Sequence, residues 1–186
     1  VYITNEDKYL NKADLVVISG VGSFDAGINK LKSYKSFEII QNRIEKNQLY
    51  VLGICLGMQL MLSESEEGNE KGLNWINGKV LKFKNIHSNK KFLKTHLGWN
   101  YISFTARESF FSSLDDKNKR FYFAHQYYAK LKDENNVLAY SNHNINFPSI
   151  INQNKLYGFQ FHPEKSHEYG MKLFKIFLEN IFDARK

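Results

Sequence analysis

Hydrophobic and polar positions along the chain follow two spacings, one typical of buried strands and one typical of helices. Strand-like apolar segments occur at positions 1–3, 14–18, 50–54, 75–83, 95–104, 120–128, 137–140, 149–151 and 157–161. Apolar residues at helical spacing predict helices over 36–46, just after position 55, and over 171–181, with Ser166 as a candidate N-cap of the last one.

This order of elements predicts a three-layer α/β sandwich with a mostly parallel central sheet. The run at 14–18 is apolar throughout, as in strands that are covered on both faces. The segments at 75–83 and 95–104 predict a small antiparallel extension, with Asn77–Gly78 as a hairpin turn. In such a fold the site is expected at the carboxyl ends of the parallel strands.

Composition narrows the class of protein. With 186 residues, 42% of them hydrophobic, the chain can bury one good-sized core, so we expect a single domain over 1–186. No apolar run reaches about 18 residues and no signal-peptide pattern is present, which predicts a cytoplasmic protein with no membrane segment. The single cysteine excludes an internal disulfide and fits a reducing compartment.

A net charge of +7 leaves nucleic-acid binding open as a function class. The lysines, however, recur at turns and helix surfaces throughout the chain and accompany no recognisable binding motif. Basic charge alone supplies only sequence-independent attraction, so we interpret it as a solvated surface. Apart from His162, discussed below, the histidines show no ligand spacing, so neither a metal site nor a cofactor is expected.

The only cysteine, Cys55, lies between Gly53 and Gly57 where an apolar strand gives way to a helix. Glycines on both sides would let the chain turn sharply and let a second molecule approach, which is the arrangement of a nucleophile elbow. The N-terminus of the following helix is expected to favour the thiolate over the thiol. The alternative is that Cys55 is simply a small buried hydrophobic residue.

A second segment favours the chemical interpretation. Near the C-terminus a strand-like segment runs into His162, Pro163 and Glu164. His162 and Glu164 are two residues apart, so in an extended segment they point the same way and the carboxylate can orient the imidazole. Cys55, His162 and Glu164 can therefore form a Cys-His-Glu triad.

At this point the chain resembles a known family, the class I (triad-type) glutamine amidotransferases, and within it the glutaminase subunits of imidazole glycerol phosphate synthase. The motifs that carry the resemblance are, in order, GVGSFDAG, GICLGMQLM, HLGWN, FAHQYY and GFQFHPEKS. The resemblance implies a flavodoxin-like sandwich, hydrolysis of glutamine to glutamate and ammonia by the triad, and a heterodimer with an ammonia-using (β/α)8-barrel cyclase.

The resemblance also implies roles for individual residues. It places the oxyanion donors at Val21, Gly22 and Leu56. It places substrate contacts at Gly22, Gln59, Glu67, Gln126 and Tyr127. It places the partner interface at Trp99, Asn100, Tyr122 and Lys165. His125 lacks the adjacent acid that His162 has, so we interpret it as structural.

The chain departs from the family pattern in three ways. Ser19 replaces the usual proline, Gln126 replaces the usual Ser or Thr, and the family's first strand, Tyr-Gly-x-Gly-Asn turn and helix do not precede Val1. Two alternatives to a histidine-pathway glutaminase also stay open at this stage. One is a paralogue that supplies ammonia to another amidotransferase, such as one that modifies surface-glycan sugars, and the other is a non-enzymatic partner-binding relic.

Overall fold

The computed structural model describes residues 1–84, 94–105, 111, 114 and 119–183. Its helices are α1 Asp7–Leu10, α2 Phe24–Ser33, α3 Phe37–Glu45, α4 Leu56–Leu60 and α5 His167–Asp183. Its strands are β1 Leu15–Gly20, β2 Tyr50–Cys55, β3 Glu64–Ser65, β4 Gly78–Lys82, β5 His96–Tyr101, β6 Ser103–Phe104, β7 Arg120–His125, β8 Tyr127–Leu131, β9 Val137–His143, β10 Ile145–Gln153 and β11 Leu156–Phe159. Short 3-10 turns occupy Glu134–Asn136 and Pro163–Lys165.

The central sheet is mixed, with six strands in the order β1-β2-β11-β10-β9-β6. The strands β1, β2 and β11 run parallel to one another, and β10, β9 and β6 continue the sheet with antiparallel pairing. Among the described strands of this sheet, the parallel pairs are β1–β2 and β2–β11, so Cys55 lies at the carboxyl end of the middle parallel strand. The predicted α/β class is confirmed, although fewer of these strand pairs are parallel than predicted.

Two hydrophobic clusters on opposite faces of the sheet give the fold its three layers. Along β2, Val51 belongs to the first cluster, which also includes α2 and α3 residues, whereas Leu52 belongs to the second, which includes α5. Alternate side chains of one strand point to opposite faces, so β2 is covered on both sides. This double coverage explains its unbroken apolar sequence.

The sheet extension differs from the predicted hairpin. The strand begins only at Gly78, and β4 pairs in parallel with β3 and antiparallel with β8, while β5 pairs with β7. Asn77–Gly78 is therefore the entrance to β4 and not a turn between neighbouring strands. Its carbonyl at Asn77 accepts a hydrogen bond from the Lys132 N–H, which extends the β4–β8 ladder.

Three further predictions fail locally. Positions 1–3 form no strand, and Val1 and Ile3 are fully exposed because no neighbouring strand pairs with them in the described structure. The predicted strand at 120–128 is broken at Gln126 into β7 and β8. The hydroxyl oxygen of Ser166 accepts the Tyr122 N–H and not an N–H of α5 among the described hydrogen bonds, and its proton goes to the His162 carbonyl.

Across the described part of the chain, none of the helices combines the length and apolar character needed to span a bilayer.

Candidate active site

Cys55 occupies a strained corner between β2 and α4. Its backbone has φ 51° and ψ −106°, a conformation that costs energy for a non-glycine residue. Gly57 is required for packing, since a Cβ at this position would lie 1.8 Å from the carbonyl oxygen of Ile18. Gly57 thus allows α4 to pack closely against β1. The residue with the positive φ at this corner is Cys55 and not one of the flanking glycines.

The corner opens onto a cavity of about 350 Å³, which falls in the size range of small-molecule sites. It is bounded by the loop after β1, the elbow and α4, the start of β5, and the junction of β7 and β8. The lining residues are Gly20, Val21, Gly22, Cys55, Leu56, Gln59, Glu67, Thr95, Leu97, Ala124, His125, Gln126 and Tyr127. All of the predicted oxyanion and substrate-contact residues therefore line one cavity beside Cys55.

His162 is buried and paired with Glu164. Its Nδ1 lies 2.7 Å from Glu164 Oε1, and because a carboxylate only accepts, Nδ1 carries the proton. This leaves Nε2 as the acceptor nitrogen of the neutral ring. The 53% exposed Glu164 side chain thus fixes the tautomer of an imidazole that is itself only 4% exposed.

Strand β7 brings the cysteine and the histidine to one place. The Cys55 thiol donates to the Ala124 carbonyl at 3.9 Å, and the His162 N–H donates to the Tyr122 carbonyl at 2.8 Å. Ser166 closes this arrangement, since its hydroxyl accepts from the Tyr122 N–H at 3.0 Å and donates to the His162 carbonyl at 2.6 Å. This role of Ser166 differs from the predicted cap, because the contact with Tyr122 joins segments that are distant in the chain.

The expectation that the elbow favours a thiolate is wrong for this structure. Burial raises the pKa of Cys55 to about 11, and Glu164 raises it further, while the Leu56 N–H, Gln160 and Lys165 lower it without compensating. Desolvation therefore outweighs the helix N-terminus, and the resting cysteine is a thiol.

The loop after β1 has the freedom expected of an oxyanion strand. Val21 is 81% exposed, and Gly22 has φ +131° with open space where a Cβ would be. The far end of this loop is held by Glu67, whose Oε2 accepts the N–H of Phe24, the first residue of α2, at 2.9 Å. Glu67 thus both lines the cavity and anchors the oxyanion loop.

The Gln59 side chain is buried and already engaged. Its Nε2 donates to the Tyr127 carbonyl at 2.9 Å and to Gln160 Oε1 at 3.1 Å. Gln126, by contrast, is exposed at the cavity edge. The ring of Tyr127 packs against the first hydrophobic cluster and lies near the ammonium of Lys82, so this residue presents mainly backbone to the site.

His125 lines the cavity but belongs to a buried hydrogen-bond chain. Its Nδ1 must carry a proton, because it lies 2.7 Å from the Tyr127 carbonyl, so its Nε2 accepts from His96 Nδ1 at 3.0 Å. His96 Nε2 in turn accepts from the Asn100 amide at 3.0 Å. Burial lowers the pKa of His125 to about 3 and that of His96 to about 4, so both rings are neutral.

The predicted interface residues differ in whether their side chains are exposed to solvent. Trp99 is 36% exposed on β5, opposite Tyr122 in the β5–β7 pair, and its ring stacks on His167. Lys165 is exposed beside the triad. The Asn100 amide, however, points inward to His96 and to the Asn142 carbonyl, so its role in the described structure is to hold β5 in place.

Within the described ranges, no group of three or more His, Cys, Asp or Glu side chains is placed to hold a metal ion.

The α/β sandwich, the nucleophile elbow and the orientated histidine are the features expected of the triad-type amidotransferase class that the sequence resembles. Comparison with known proteins agrees with this class. The model of the family "Glutamine amidotransferase class-I" matches residues 2–181, and the chain belongs to this family. A more particular similarity is to imidazole glycerol phosphate synthase subunits. Subunit HisH 2 of Methanococcus maripaludis is 41% identical over 95% of this chain and 86% of its own length.

Two further comparisons agree. Subunit HisH of Leptospira interrogans is 37% identical over 94% of this chain and 85% of its own length. Among solved structures, a protein assigned as a GMP synthase subunit from Thermoplasma acidophilum has a TM-score of 0.65 and 21% identity, covering 96% of this chain and 78% of that one. At this identity the structural likeness supports the fold alone.

Proposed function

We propose that this chain, as one domain, is the glutaminase subunit of an imidazole glycerol phosphate synthase, which hydrolyses glutamine and passes the ammonia to a cyclase subunit. The observation that carries the proposal is the placement of Cys55 on a cavity wall and against strand β7, the same strand that holds the buried His162 with its Glu164 partner. The names of the two relatives described above support this synthase over a paralogue with another ammonia acceptor.

Catalysis begins with proton transfer from Cys55 to His162. Because the cysteine rests as a thiol, Sγ attacks the side-chain amide carbon of glutamine as His162 Nε2 takes its proton. Glu164 accepts the Nδ1–H throughout and stabilises the imidazolium. His162 then protonates the departing amine, ammonia leaves, and water cleaves the thioester to release glutamate.

The oxyanion of the tetrahedral intermediate is held by the Leu56 N–H and by an N–H at Val21 or Gly22. Loss of one such donor typically costs about 100-fold to 1,000-fold in rate. The exposed, glycine-flanked Val21 peptide can populate two orientations, of which only one aims its N–H at the oxyanion. We infer that docking of the synthase selects this orientation, so the free chain is a poor glutaminase.

The substrate is held at both ends in this proposal. Glu67 accepts from the α-amino group of glutamine with the carboxylate oxygen that does not bind Phe24. Gly22, Gln126 and Tyr127 line the same cavity and contact the substrate chiefly through backbone groups and the exposed Gln126 amide. Gln59 shapes the cavity floor, since its amide N–H groups are already used.

The cyclase docks on the β5 and β7 face in this proposal. Trp99 and Lys165 are exposed there, and Tyr122 pairs through its backbone with His162, so a partner that touches this strand touches the support of the triad. Asn100 contributes by holding β5 in position. We infer that the partner is a (β/α)8-barrel cyclase in a heterodimer.

The test is glutamine hydrolysis by the chain alone and in the presence of the purified cyclase with its ligand. We expect hydrolysis to rise by a factor of about 100 or more in the complex; moving a loop from about 1% to about 99% competent takes roughly 5.5 kcal/mol of differential binding. Equal turnover with and without the cyclase would contradict docking-dependent activation. A cyclase that never binds the chain would contradict the assignment of the partner.

A further inference from the structure

A buried glutamine with no role in the mechanism above lies directly behind the nucleophile. Gln160 follows β11, whose Phe159 lies opposite Ile54, so Gln160 stands beside Cys55. Its side chain is fully buried, and its Nε2 lies 3.9 Å from Cys55 Sγ. It does not line the cavity.

The orientation of this amide is fixed by its neighbours. Gln59 Nε2 donates both to the Tyr127 carbonyl, which only accepts, and to Gln160 Oε1. The carbonyl end of Gln160 therefore faces Gln59, and its N–H end faces the sulfur. Flipping the Gln160 amide would set two N–H groups against each other and lose both contacts.

The Tyr127 carbonyl links this pair of glutamines to a longer chain. It also accepts the Nδ1–H of His125, which is held through His96 by the Asn100 amide. On one side, donation runs from Asn100 through His96 and His125 to the Tyr127 carbonyl. On the other side, Gln59 donates both to that carbonyl and to Gln160, which donates to the Cys55 sulfur, so the direction of each hydrogen bond is fixed by its neighbours. The Gln160 amide is thus one end of a rigid buried network.

Two N–H donors face the sulfur in the resting structure, and only one can stay there during the reaction. The Leu56 N–H and the Gln160 amide both favour the ionised sulfur. In the proposed mechanism the Leu56 N–H turns to the oxyanion once the amide carbon is attacked. The Gln160 amide lies outside the cavity lining, so it stays with the sulfur.

We propose that Gln160 is a positioning residue that holds the Cys55 sulfur at the attack geometry and stabilises its negative charge as the proton leaves. The proposal deepens the glutaminase function and rests on it for its catalytic consequence. The donor is set by Gln59, so the two glutamines act as a unit: Gln59 orients, and Gln160 contacts the reacting atom.

The test is the pH dependence of Cys55 alkylation by iodoacetamide in the intact chain, whose single cysteine makes the product unambiguous. Gln160→Glu keeps an oxygen acceptor for Gln59 but sets oxygen in place of the N–H donor. Gln160→Met keeps the side-chain length and removes the donor. Gln153, on β10 and away from Cys55, offers matched control variants, Gln153→Glu and Gln153→Met.

Both Gln160 variants are expected to shift the alkylation profile upward by about one pH unit, which makes the reaction about tenfold slower at a fixed pH below the midpoint. The Gln153 variants keep the wild-type profile. Alkylation that is unchanged or faster in both Gln160 variants overturns the proposal. Neither glutamine nor the cyclase enters this assay, so its result is separate from the fate of the glutaminase assignment.

A second readout separates positioning from substrate binding. In the complex with the cyclase, each Gln160 variant is expected to lower kcat for glutamine hydrolysis by about tenfold or more while KM changes by less than about twofold. A raised KM with wild-type kcat would mean that Gln160 acts on substrate binding and would overturn the positioning role.

Discussion

Lowering the pH from about 7.5 to about 5 acts directly on the buried histidines His96 and His125. In the folded chain His125 Nε2 accepts from His96, and His96 Nε2 accepts from Asn100, so a proton added to either ring removes an acceptor. Burial holds the pKa of His125 at about 3, against 6.5 for an ordinary histidine. Between these pH values the unfolded chain therefore binds a proton at His125 that the folded chain does not bind.

The sign and size of the effect follow from that difference. A histidine with a depressed pKa contributes stability that is complete above about pH 6.5 and is lost as the pH falls toward the folded value. At about pH 5 the unfolded His125 is almost fully protonated while the folded one is neutral, which removes about 2 kcal/mol from the free energy of unfolding. His96, with its pKa lowered to about 4, acts in the same direction.

The assay is urea unfolding of the wild type and of His125→Gln at both pH values. His125→Gln is expected to be less stable near pH 7.5 but to lose about 2 kcal/mol less than the wild type on acidification, because it has one fewer group that titrates only when unfolded. Carboxylates titrate alike in both chains and cancel. His167→Gln is the control, since His167 is exposed. A wild-type-to-variant difference that stays constant between the two pH values would refute the neutral histidine pair.

Three further outcomes are expected. Alkylation of Cys55 in the free chain should be slow at about pH 8 and still rise above about pH 9, because burial sets the thiol pKa near 11; a plateau below pH 8 would show a thiolate instead. Gly57→Ala should lower the free energy of unfolding by about 2 kcal/mol or more, whereas Gly20→Ala, whose added methyl meets only Leu56 at 3.9 Å, should not; equal urea midpoints would contradict the close approach of α4 to β1. Trp99→Ala should weaken cyclase binding in calorimetry by about tenfold or more with little change in stability, and an unchanged Kd would move the docking face elsewhere.

Local sequence was sufficient for the elements that depend on local pattern. The apolar run of β2 and the motif around Cys55 predict the strand, the corner and the following helix. A buried strand requires apolar residues and a sharp turn requires glycines beside it, so both are visible in the local sequence. The spacing of His162 and Glu164 likewise predicts their hydrogen bond, since the two residues are neighbours in the chain.

Prediction from sequence failed where the outcome depends on distant segments. The thiol pKa of Cys55 is set by burial under strands that follow it by many residues, which a local helix N-terminus does not reveal. The strand predicted at positions 1–3 has the right residue types but no pairing strand in the described structure. The contact of Gln160 with Cys55 is hidden for the same reason, although a polar residue between Phe159 and Phe161 in a strand-like segment is a signal that could reveal it.

The most direct measurement of the central claim is product formation by Cys55→Ala in complex with the cyclase, with either glutamine or ammonium as the nitrogen source. The variant should fold, bind the cyclase as the wild type does, and lose glutamine-dependent synthesis completely. Its ammonium-dependent synthesis should equal that of the wild type, because the cyclase uses ammonia without the thiol. Glutamine-dependent synthesis that survives the loss of the Cys55 sulfur would contradict the proposed function.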